Sequence, residues 1–190
     1  MKNPYIFGYL PFVNIVLFSL TFGVYAVSFI VEQFKHIGLY EGLLEFFSDI
    51  QIRLLFLIVF AVLFFMIFSA LKLIAETIHE TAMLFFAKEV DPSLYRKVKS
   101  GNLIYFLGAL ISIASIQSLL GLIIIFAAST LLYFNFLMYQ LSKQTNFMHL
   151  IGLIFFEIII WATLLSVVAY ALLKLYNGIV EAIPLVTTEQ

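Results

Sequence analysis

One carboxyl stands inside an apolar run: Glu157, set between LIGLIFF and IIIWATLL. Taking a carboxylate out of water is costly unless the group is protonated or partnered. Held near the balance between its charged and neutral forms, such a group loads and releases a proton or cation. Tied into hydrogen bonds, it fixes helix register instead, and from residue type alone both roles stay open. Depth is open as well. If Asn146 marks the inner interface, Glu157 lies near mid-bilayer; if Lys174 marks the outer one, it lies within about two turns of the cytoplasmic face. In the second case Lys72 could snorkel to meet it, so Glu157–Lys72 is the expected ion pair.

A second group is carried by LKLIAETIHETAMLFFAK, where Lys72, Glu76, His79 and Met83 share a helical stripe with Glu80 beside it. Glu76-x-x-His79 has the spacing of half a di-iron carboxylate site, but such a site needs a second copy of the motif and the chain has none. His36 and His149 have no acid at that spacing. His79-Glu80 begins like the zinc motif HExxH, yet Met83 stands where the second His belongs. No metal is expected, and the ordinary reading is a polar face on a helix leaving the membrane, with Lys72 pairing Glu76 one turn on. Asn14 offers a further polar group at shallow depth, either to line a site or to bond a neighbouring helix. There is no G-x-S-x-G, phosphate loop or dinucleotide fingerprint, and no Cys, so no catalytic residue and no cofactor are assigned and an enzyme is not expected.

The elements that must position these groups follow from composition. Hydrophobic residues make up 64% of the 190 and charged residues 11%; mean hydropathy is +1.11. So few charges cannot cover a globular surface, which makes lipid part of the solvent. A formal net charge of -1 supplies no field for nucleic acid, so no nucleic-acid partner is expected. The expected fold class is all-α: one polytopic bundle of about five transmembrane helices with one interfacial amphipathic helix. Uncharged runs predict spans over 6–31, 54–76 extending to 88, 98–116, 119–141 and 147–173. Pro11 suits a first helical turn. Residues 54–88 contain no Pro or Gly while their period turns amphipathic, which predicts one helix that crosses the lipid and continues past it.

Between the first two spans, Glu41, Glu45 and Asp49 recur four apart, with Leu43, Leu44, Phe46, Phe47 and Ile50 opposite, as in a helix lying in the interface. Asp91-Pro92 reads as a helix start. Residues 102–142 carry no charge, and one helix of that length would run about 60 Å, so it must fold back. The polar cluster Ser112, Ser115, Gln117 and Ser118 before Gly121 is the expected turn. Gly101, Gly108, Ser112 and Ser115 recur near one face, which lets another backbone approach. Tyr5, Tyr9, Tyr40, Tyr95, Tyr139 and Tyr176 fall near span ends, as in an aromatic belt. Lys2, Lys88, Arg96, Lys97, Lys99 and Lys143 fall to one side against Lys35, Arg53 and Lys174 on the other. The N-terminus is therefore expected in the cytoplasm and the C-terminus outside, with a four-span chain and an inside C-terminus as the alternative.

Segment by segment, MKNPYIFGYLPF, LYEGLLEFFSDIQIRL, SALKLIAETIHETAMLFF, and IGLIFFEIIIWA with ALLKLYNGIVEAIP resemble the YufK-like family of small multi-pass membrane proteins from bacilli, a family of unknown function. The resemblance implies a bacterial plasma membrane and assigns no activity or site. The expected function is a non-catalytic accessory, regulatory or structural membrane subunit, working with the bilayer and with either another membrane protein or further copies of itself as a homo-oligomer. The alternative is an ion- or proton-coupled small-molecule transporter using Glu157.

Overall fold

A computed structural model describes residues 6–86 and 98–182. The described elements are helices: α1 Ile6–His36, α2 Leu39–Leu44, α3 Asp49–Phe86, α4 Asn102–Ile113, α5 Leu119–Leu141 and α6 Phe147–Ala182. Hydrocarbon offers the backbone no hydrogen bonds, and a helix satisfies its own. The chain is an all-α membrane bundle. Lys2, Tyr5, Lys88, the expected helix start at Asp91-Pro92, Tyr95, Arg96 and Lys97 lie outside the described residues.

Among the described residues, four helices are long and apolar enough to cross a membrane: Gly8–His36, Asp49–Phe86, Leu119–Leu141 and Phe147–Val180. Where a fifth span was expected over 98–116, the apolar helix is Val98–Ile113, about 24 Å against a hydrocarbon core of about 30 Å. It ends early because Ser118 caps α5, its hydroxyl accepting from Gly121 N at 3.2 Å, and the turn falls at 114–118. Pro11 lies inside α1 rather than in its first turn, because helix already occupies the apolar residues before it.

The expected interfacial helix is shorter than its pattern. Gly38 adopts φ 73, the left-handed conformation that ends α1, and α2 stops at Leu44. Ser48 and Gln51 then form a capping box: Ser48 N donates to Gln51 Oε1 at 2.9 Å, and Gln51 N donates to Ser48 Oγ at 3.4 Å. A new helix therefore starts at Asp49, and Glu41, Glu45 and Asp49 do not share one face. Asp49 instead accepts from Arg53 Nε at 2.9 Å and from the Tyr40 hydroxyl.

Contacts give each helix its direction. α3 runs against α1, with Phe18 beside Phe68 and Phe34 beside Phe56. α4 runs with α1, since Asn14 meets Asn102 and Thr21 meets Ser112. α5 returns against α4, where Gly101 faces Phe136 and Gly108 faces Ser129. α6 returns against α3, where Phe86 packs on Gly152 and His79 meets Glu157.

Three buried clusters stack along the bundle. Val27, Val31, Tyr40 and Ile52 fill the end near Arg53; Phe18, Phe22, Phe68, Ala109 and Leu122 fill the middle; Ala82, Leu137, Met138, Leu141 and Leu153 fill the end beyond Lys72. Between Arg53 and Lys72, α3 carries no charge over 54–71, a rise of about 27 Å that marks the hydrocarbon slab.

Candidate functional site

Glu157 is 4% exposed, and its Oε1 lies 2.7 Å from His79 Nδ1. The charge-free stretch of α3 stops at Lys72, and α3 continues unbroken to Phe86. That continuation puts His79 about 10 Å beyond the slab, and the antiparallel α6 brings Glu157 to the same level. The acid therefore sits at the rim and not at mid-depth. Packing around it is apolar: Ala82 and Leu153 are fully buried, with Met83, Phe86 and Phe156 against them. Gly152 makes the approach of α6 possible, since a Cβ there would meet the Phe86 ring. With Glu157 ionised, His79 donates through Nδ1–H, a charge-assisted bond that also fixes the imidazole tautomer.

Lys72 is not the partner of Glu157. It pairs with Glu76 one turn along α3, a contact reached locally, whereas Glu157 lies about two turns farther down the helix axis. Glu76 and Glu80 are exposed. The ring of Tyr133 of α5 packs at 5.3 Å on Tyr105 of α4, whose hydroxyl donates to Thr130 Oγ1 at 3.2 Å. Tyr133 packs against the cluster at the end beyond Lys72, whereas Tyr105 packs against the middle one. Among the described residues, no three His, Asp or Glu side chains gather in a way that could hold a metal ion.

Asn14 is buried and its Nδ2 donates to Asn102 O at 2.9 Å, a bond between α1 and α4. Its Oδ1 is buried without a hydrogen-bond partner. Of the small residues expected on one packing face, Gly101 lies against Tyr133 and Phe136, and Gly108 against Ser129 and Phe18. Ser112 is fully buried, 3.1 Å from Thr21 Oγ1. Ser115 stands apart, past the end of α4 and beside Gly121 in the turn.

Reading the sequence did not find His79 as the partner of Glu157, because 78 positions separate them and no local pattern joins them. The cap at Ser48-x-x-Gln51 was missed too, although S-x-x-Q before an apolar run is a legible signal.

Comparison with known proteins agrees with this architecture. The chain is 36% identical over 184 residues to the uncharacterized membrane protein YufK of Bacillus subtilis (strain 168), covering 97% of this chain and 100% of that protein. No solved structure matches. The family of unknown function DUF5366 matches residues 27–184, more than half of the chain, and this protein belongs to it.

Proposed function

We propose that this protein is a non-catalytic accessory or structural subunit of the membrane. The observation that carries the reading is the bond between His79 and Glu157: the carboxyl most exposed to a desolvation cost is paired across two helices inside a packed apolar cluster. A group held this way serves helix registry, and Asn14–Asn102 and Thr21–Ser112 likewise tie α1 to α4. The count of Lys and Arg supports a bacterial plasma membrane orientation with the Lys72 end in the cytoplasm; α4, short as it is, runs with α1, and α6 runs against α3, which supports a C-terminus outside.

A second reading, a proton- or ion-coupled carrier, is favoured by one feature: His79 and Glu157 bring titratable groups from two helices into hydrogen-bond contact. Reconstitution into liposomes separates the two. The subunit reading expects no pH-dependent flux from wild type or Glu157→Gln, and a membrane protein that co-purifies in mild detergent. A flux present in wild type and absent in Glu157→Gln would overturn it.

A further inference from the structure

From 162 to 180 every residue of α6 is exposed. This stretch rises about 27 Å, and it begins where α6 passes from the rim cluster into the slab, so it crosses the hydrocarbon with its residues exposed throughout. Polar side chains on such a span are costly unless partnered, and those of α6 are not scattered. Thr163, Tyr170 and Asn177 recur every seven residues, and Ser166, Leu173 and Val180 each follow three later. These are the a and d positions of a heptad, the pattern of a helix that packs along a parallel partner.

The chemistry of the stripe indicates what that partner is. Thr163 Oγ1 donates to Ile159 O at 2.8 Å and Ser166 Oγ to Ala162 O at 2.7 Å, so both are small and internally satisfied, and a second backbone can come close. Asn177 differs: its amide has no hydrogen-bond partner among the described residues. A carboxamide carries donors and an acceptor, so two such groups related by a two-fold axis satisfy each other. An Asn at an a position is also the device that specifies register and a two-stranded state. Copies of one chain insert in the same orientation, which makes their α6 helices parallel about an axis along the membrane normal. Lys174, at an e position, comes opposite Ala169 of the second copy, whose small side chain leaves its neighbouring Tyr170 ring open to the ammonium.

We propose that the occupant of this face is a second copy of the chain, with the two α6 helices paired along Thr163, Ser166, Tyr170, Leu173 and Asn177. The pairing goes beyond the accessory reading and holds whether the protein is a subunit or a carrier.

The chain has no Cys, so single cysteines report contact without background. In native membranes under mild oxidation, Ser166→Cys and Leu173→Cys are expected to form disulfide-linked dimers, while Leu172→Cys and Leu175→Cys on the opposite face are not. Asn177→Leu placed on the Leu173→Cys background is expected to lower the dimer yield about fivefold, the weight of one interhelical hydrogen bond in lipid. Single-molecule photobleaching of the labelled wild-type chain is expected to show two steps. Equal yields at all four positions would mean random collision, linkage to a different polypeptide would mean a heterologous partner, and single-step bleaching would mean a monomer; each overturns the proposal.

Discussion

His79 and Glu157 lie 78 positions apart in the chain and 2.7 Å apart in space, and their bond joins α3 to α6 at the end of the bundle beyond Lys72. With Glu157 almost fully buried, removing its partner leaves a buried carboxyl without its hydrogen bond. His79→Ala is therefore expected to destabilise the protein by about 1–3 kcal/mol. Glu157→Gln keeps shape and hydrogen bonding and is expected to cost less. Thermal unfolding in detergent measures both, with exposed Glu80→Ala as the reference; a His79→Ala loss no larger than that reference would refute the clasp.

The same geometry separates two candidate partners. A double-mutant cycle of His79→Ala with Glu157→Gln is expected to show a coupling of about 0.5–3 kcal/mol. The cycle of Lys72→Met with Glu157→Gln is expected to be additive, because Lys72 is engaged with Glu76. Coupling in the second cycle and none in the first would reverse the assignment.

Glycines of α4 and α6 should respond oppositely to a methyl group. At Gly108 a Cβ would overlap the Ser129 hydroxyl, itself bonded to Ile125 O at 2.8 Å, so Gly108→Ala is expected to cost about 1–3 kcal/mol through overpacking. Adding Ser129→Gly should restore part of the loss. At Gly178 nothing lies within 4 Å, and Gly178→Ala is expected to stabilise by about 0.5–1 kcal/mol through helix propensity. Unfolding midpoints of the three variants test this, and an equal loss at both glycines would contradict the packing.

The start of α3 depends on one side chain. Ser48→Ala removes the acceptor for Gln51 N and is expected to cost about 0.5–2 kcal/mol. Amide hydrogen exchange should rise in the first turn of α3 and not at the slab; unchanged protection at Gln51 would argue against the cap.

Outside the spans, Tyr40 of α2 donates to Asp49, and that hydrogen bond, with burial next in weight, raises its pKa. The folded value then exceeds the unfolded value of about 10. The phenol's contribution to stability is accordingly complete below about pH 10 and lost as pH rises through the folded value. Phenolate absorbance of wild type minus Tyr40→Phe should show one group titrating above the usual phenol range. A difference curve centred at the ordinary value would remove the predicted alkaline loss.

Much of the architecture was legible in the chain because the solvent imposes it. Charge-free runs of spanning length, the unbroken passage of α3 through Lys72 to Phe86, and the pairing of Lys72 with Glu76 all follow from rules of short range: backbone bonds close within the helix, and neighbours sit one turn apart. The small residues Gly101, Gly108 and Ser112 announced a close approach for the same reason. Three-dimensional packing alone decided which helix met which, and so which partner Glu157 received. Local spacing ranks the cation nearest in depth, but a buried carboxyl bonds whatever side chain the antiparallel crossing of α3 and α6 sets at its own height, and that height places His79 at the rim. Packing likewise left 162–180 of α6 exposed, because the exposure of a face depends on where the other helices run, and no single helix encodes that.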